Sequence, residues 1–172
     1  QVFASPLCGP GEVARAFAEP CFGRGRPVLE GSEELTAMLH ERFTYDPRAT
    51  TVATPVDEVF NERRGVCQDF AHVLIASLRS MGLAARYVSG YLRTIPPPGK
   101  PRLIGADASH AWVSVFCPPV GWVDLDPTNN TRPAEDHVTL AWGRDYSDVT
   151  PVKGVMFGGG QHDVAVAVDV EP

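Results

Sequence analysis

The sequence predicts an α+β fold in which N-terminal helices pack on a mainly antiparallel sheet. Two observations carry this. Apolar residues recur at helical spacing through the first half of the chain, and after Gly82 the period changes to two. With 172 residues, 44% hydrophobic and 21% charged, the chain is long enough to close one core and short for two, so 1–172 is expected to form a single domain.

The elements follow in order. Ser32 is expected to cap a helix whose Leu35, Met38, Leu39 and Phe43 share one face, with Glu33 and Glu34 in its first turn. Thr54, Pro55 and Asp57 supply an N-cap, a proline at the first helical position and an acidic third residue, opening a second helix through Val59 and Phe60. The strongest pattern comes next. Phe70, Val73, Leu74, Ser77, Leu78 and Met81 keep a 3.6 period, Cys67 opens this helix, and Gly82 supplies a left-handed stop. Beyond it, 86–92, 110–116, 122–126, 139–142, 152–157 and 164–170 read as strands. Pro96, Pro97, Pro98 and Gly99 mark one exposed loop, and Gly158 to Gly160 another.

A net charge of -6 without blocks of like charge offers no footprint for nucleic acid or an anionic membrane. No apolar run reaches the roughly 18 residues of a membrane span, and the first residues lack the pattern of a secretory signal. Cys8, Cys21, Cys67 and Cys117 form no CxxC pair, so no zinc site is expected; all four are taken as reduced thiols in the cytoplasm.

A cysteine in the first turn of a helix meets unpaired backbone N–H groups and the positive end of the helix dipole, both of which favour a thiolate. The same amides can hold the oxyanion formed when a carbonyl is attacked. A plain buried side chain is the alternative for Cys67. Downstream, His110 begins one strand and Asp126 ends the next, with Cys117, Pro118, Pro119 and Gly121 at the turn between them. A register that opposes His110 to Asp126 puts both on one face and gathers Ala111, Val113, Val115, Val123 and Leu125 on the other as a core pattern. The two can then form a pair that orients an imidazole. A histidine at a strand start is also commonly structural.

Three segments carry a family resemblance: GVCQDFAH from Gly65, SHAWV from Ser109 and GWVDLDPTNN from Gly121. In order and rough spacing they resemble the Cys, His and Asp motifs of bacterial transglutaminase-like proteins, within the papain-like cysteine enzymes. The likeness runs from about Thr44 to near Asp163. It implies a papain-like transglutaminase core, with Cys67, His110 and Asp126 as a catalytic triad. It also implies that a β-rich region commonly precedes such a core, so the chain is expected to be a fragment of a longer protein. Animal members of the superfamily depend on calcium, but no EF-hand loop or dense acidic cluster is visible, and no metal or other cofactor is expected.

Asp124 shares the parity of Asp126 and is the alternative orienter. Gln68 and Asp69 are candidate substrate-binding residues beside the nucleophile, although both also suit the first turn of a helix. Trp112 is a candidate wall of the cleft or a core residue. His72 points away from the thiol and is a poor base, and His40, His137 and His162 belong to no constellation. The expected chemistry is acyl transfer on amide or peptide bonds through a thioester, with a protein or peptide as substrate. Peptidase or amidase action is the first reading. Protein-glutamine transamidation and a noncatalytic binding scaffold are the alternatives.

Overall fold

The computed structural model describes residues 2–94, 108–151 and 167–170. Four helices precede or interleave with two very short strands, and four longer strands follow. The order is α1 (Glu12–Ala18), a one-turn 3₁₀ segment (Glu19–Cys21), α2 (Val28–Arg42), β1 (Thr44–Tyr45), α3 (Val56–Glu62), β2 (Arg64–Gly65) and α4 (Cys67–Ser80). Then come β3 (Ala85–Leu92), β4 (Ala108–Cys117), β5 (Gly121–Leu125) and β6 (His137–Gly143). β1 and β2 pair in parallel, whereas β5-β4-β3-β6 form one antiparallel sheet with β5 and β6 at its edges.

The α+β class and the antiparallel sheet are those the sequence predicts. α4 ends as expected, with Gly82 at φ 76° accommodating the left-handed turn. Both N-caps differ from expectation. α2 starts at Val28 after Pro27, so Ser32 lies inside the helix, fully buried, with its hydroxyl donating to Val28 O one turn back. A serine can satisfy itself this way, which removes the need for it to end the helix. α3 starts at Val56 with Pro55 in the cap position, and the Thr54 hydroxyl accepts from Thr51 N instead of capping. The expected strand 152–157 and the two loops at 96–99 and 158–160 lie outside the described residues. So does the first part of 164–170, whose remainder, 167–170, is not in a strand.

α4 is the central element. Phe70, Val73, Leu74, Ile75 and Leu78 are almost wholly removed from water. They pack on the sheet face made by Ala85, Tyr87, Ala111, Val113, Val115 and Leu125. Burial of a side chain of this size contributes about 1.5–3 kcal/mol, so this layer fixes where the first turn of α4 stands. Phe17, Phe43, Phe60 and Phe70 meet edge to face at centroid distances of 5.6–6.1 Å, tying α1, the end of α2 and α3 to α4. On the opposite sheet face, Arg86 lies between the rings of Trp122 and Trp142, its guanidinium 4.3 and 4.9 Å from their centroids.

Candidate active site

Cys67 is the first residue of α4 and is half-buried. Val66, at the cap, has no side-chain acceptor, so Asp69 reaches back and its Oδ2 accepts from Val66 N at 2.8 Å. The same oxygen accepts from the Thr50 hydroxyl. Gly65 makes this possible: a Cβ there would lie 2.6 Å from Asp69 Oδ2 and 2.8 Å from Asp69 Cβ. Phe70 N bonds Val66 O as the first helical link, leaving the amides of Cys67, Gln68 and Asp69 ahead of the ladder at the thiol.

His110, near the start of β4, is 9% exposed, and Asp126, just after β5, is fully buried. The hairpin register has the expected parity but is offset: Val113 opposes Leu125, which sets Trp112 rather than His110 across from Asp126. His110 is therefore a diagonal neighbour on the same face, and its Nε2 donates to Asp126 Oδ2 at 2.7 Å. The Cys67 thiol stands close enough to this ring to favour its charged form. With Nε2 held by Asp126, Nδ1 is the nitrogen left for the sulfur. Burial works against the imidazolium, but the bond to Asp126 and the proximity of Cys67 outweigh it and push the His110 pKa up to about 9. Burial likewise opposes ionisation of Asp126, yet hydrogen bonds from His110, His137 and Asn129 hold it well below the usual carboxylate range.

Asp126 is fully committed. Its Oδ1 accepts from the amides of Thr128 (2.9 Å) and Asn129 (3.2 Å). Its Oδ2 accepts from His110 Nε2, from Asn129 Nδ2 at 2.7 Å and from His137 Nε2 at 3.1 Å. Asp124 does something else: it accepts from the Trp112 indole N–H at 3.1 Å.

Two candidate substrate contacts take the other role the sequence left open to them. Trp112 is fully buried, with its ring 6.1 Å from that of His110 and 5.2 Å from that of His137, so it supports the imidazoles from within and does not line a surface. Asp69 is 2% exposed and spends its carboxylate on the helix end and Thr50. Gln68 is half-buried beside the thiol, its amide donating to Val52 O at 3.3 Å. His72 is buried, with Nε2 accepting from Tyr146 N; desolvation pushes its pKa down to about 4.

Sequence reasoning missed three neighbours. Asn129 was in view within the DPTNN run but had no assigned role. Tyr45, exposed on β1, stands close enough to the thiol for the charge of Cys67, after burial, to raise its phenol pKa. His137 had no local signal, because its partner lies on the opposite edge of the sheet.

His110, Asp126 and His137 place three ligand-type atoms within 4.8 Å of one another. Two ligands sharing a tetrahedral zinc at about 2.0–2.1 Å would stand roughly 3.3 Å apart. The 2.7 and 3.1 Å contacts to one carboxylate oxygen are hydrogen-bond lengths, and that oxygen also holds Asn129, so the cluster fits a proton-bearing network better than a cation.

Residues 15–127, from α1 to just beyond Asp126, match the model of the transglutaminase-like superfamily. The chain belongs to that superfamily. Rv2569c from Mycobacterium tuberculosis is 46% identical over 166 residues, covering 94% of this chain and 53% of the relative. A protein-glutamine gamma-glutamyltransferase from Pseudomonas aeruginosa is 34% identical over 128 residues, covering 70% of this chain and 19% of its own length. Among solved structures, a candidate cysteine protease from Cytophaga hutchinsonii superposes with a TM-score of 0.71 at 28% identity, over 87% of this chain and 47% of that one. The periplasmic domain of TgpA from P. aeruginosa, bound to ethylmercury, gives 0.56 at 27% identity, over 76% and 48%. The chain thus spans about half the length of the mycobacterial relatives it matches.

Proposed function

We propose that this transglutaminase-like domain is a cysteine-dependent acyl-transfer enzyme that hydrolyses amide or peptide bonds in a protein or peptide. The observation that carries the reading is the convergence of the Cys67 thiol on the His110 ring, which is itself hydrogen-bonded to the buried, anionic Asp126. The Cys67 sulfur attacks the carbonyl carbon, and the oxyanion faces the N-terminal amides of α4. As the C–N bond breaks, the His110 imidazolium gives its proton to the leaving amine, and a thioester remains on Cys67. Neutral His110 then takes a proton from water, hydroxide adds to the thioester, and the carboxylate leaves as the thiol is restored.

Transamidation is the second reading, favoured by the likeness to the P. aeruginosa protein-glutamine gamma-glutamyltransferase. Water is present at about 55 M, so a millimolar amine competes only with an orientation advantage on the order of 10⁵. That requires a built acceptor cleft, and no feature of the described residues commits to one. Incubation with a glutamine-containing peptide and excess labelled cadaverine, read by mass spectrometry, tests both. Free acid as the main product supports hydrolysis; predominantly amine-coupled product replaces it with transamidation. Cys67→Ala should abolish either product while circular dichroism stays at the parent signal, and retained turnover would end the nucleophile assignment.

A cytoplasmic location belongs to the same proposal, supported by four free thiols. The TgpA structures are of a periplasmic domain, so fractionation of native cells decides between the two compartments.

A further inference from the structure

We propose that His137 is a positioning residue of this site: by donating its Nε2–H to Asp126 Oδ2, it fixes the carboxylate and draws off part of the charge that would otherwise act more strongly on His110. The inference rests on the reading of His110 and Asp126 as part of a catalytic chain.

The geometry is specific. β5 and β6 are opposite edges of the sheet, with β4 and β3 between them, yet Asp126 from one edge and His137 from the other meet at 3.1 Å. Gly90 on β3 lies between His110 and Thr139 in the register, and a Cβ there would meet Val138 O at 2.2 Å and the Trp112 ring at 2.4 Å. The missing side chain lets Trp112 lie across β3, and the His137 ring packs edge-on against that indole. The side chain of His137 is only 8% exposed, and its Nδ1 has no hydrogen-bond partner among the described residues. A histidine held for packing alone does not need its one engaged nitrogen on the carboxylate that orients another histidine.

Physical chemistry gives the consequence. Asp126 Oδ2 divides its charge among His110, Asn129 and His137, and every further donor makes the oxygen a weaker acceptor for His110. The titratable groups facing His110 are Cys67 from α4, Asp126 after β5 and His137 from β6, while β3 contributes only Gly90 opposite it. Without His137, Asp126 would hold the His110 proton more tightly, making it a weaker acid toward the leaving amine. It would also be less firmly placed.

The test uses His137→Leu, which removes the donor, and His137→Gln, whose amide nitrogen takes the place of Nε2. In ¹⁵N-histidine-labelled protein, the His110 titration midpoint should rise by about half a unit or more in His137→Leu and stay at the parent value in His137→Gln. With a turned-over peptide, kcat should fall about tenfold in His137→Leu with KM within about twofold, and His137→Gln should recover most of it. If His137→Leu fails to fold, His137→Asn, too short to reach Asp126, takes its place with the same expectation. An unchanged His110 midpoint in the folded Leu or Asn variant overturns the proposal, as does equal loss in the Gln and Leu variants. The NMR readout needs no substrate, so a shifted midpoint without turnover in the parent would sink the hydrolase reading and leave the positioning role standing.

Discussion

Asp124 and Asp126 sit two residues apart on the same sheet face, and the partner each side chain meets separates their functions. Asp126 is buried against two imidazoles, whereas Asp124 accepts one indole N–H, a bond an asparagine oxygen can also accept. Asp126→Asn should therefore lower kcat by about 10²–10⁴-fold, with Asp124→Asn within about threefold of the parent, as measured on the same peptide. If Asp124→Asn is the more damaging, the orienter is misassigned. The elevated His110 pKa fixes the pH dependence. A base raised from 6.5 to about 9 on folding contributes stability that is fully present below pH 6.5 and is lost as pH rises through about 9. Turnover that needs the imidazolium should fall over the same alkaline limb, and Asp126→Asn should move that limb downward. A limb that stays in place would contradict the pairing. At this scale Cys67, His110 and Asp126 were legible because each sits in a run whose local structure the sequence also specifies. For Trp112 and Asp69 two roles stayed open in the sequence, because it does not show that Asp124 and Val66 N are within reach to satisfy them.

The elements impose their own constraints, most sharply where a side chain is missing. Gly90→Ala would drive a Cβ into Val138 O and the Trp112 ring, and neither a β6 backbone atom nor a fully buried indole can move cheaply. We expect a loss of about 3 kcal/mol in denaturant unfolding, with a lowered kcat because β6 and His137 shift with it. A cost below about 0.5 kcal/mol would mean the sheet relaxes there. His72 ties α4 to the 3₁₀ turn at Tyr146–Asp148 by accepting from Tyr146 N, which requires a neutral ring. Its pKa falls to about 4 on folding, so the unfolded chain takes up a proton first, and stability should decline as pH drops from 6.5 toward 4. His72→Gln should flatten that slope in thermal melts; an unchanged slope would assign the effect elsewhere. α4 and the sheet strands were readable because a sustained period dominates them. α1 and the two-residue β1 and β2 are too short to show a period, and the start of α2 was hidden because Ser32 bonds its own helix.

Across the whole molecule, the site is assembled from parts far apart in sequence, and this couples its integrity to the fold. Cys67 comes from the helix at the centre of the core, His110 from an inner strand, Asp126 from beyond one edge strand and His137 from the other edge. Such a constellation was legible only in part, since strand order is not visible in a period-two pattern and nothing local says that β6 pairs with β3 on the side away from β4. Detachment of β5 removes the carboxylate and detachment of β6 removes one of its donors, so no partly unfolded form that lacks β5 or β6 retains the complete hydrogen-bonded site. Trp112 reports the same region, because it is fully buried against the two imidazoles, whereas Trp122 and Trp142 are 40% and 55% exposed and contribute a smaller change on unfolding. The expected result is a single transition in urea: loss of turnover, loss of the buried-tryptophan emission and loss of far-UV dichroism at one midpoint. Activity that disappears well before the fluorescence change would show that the edges fray independently of the core.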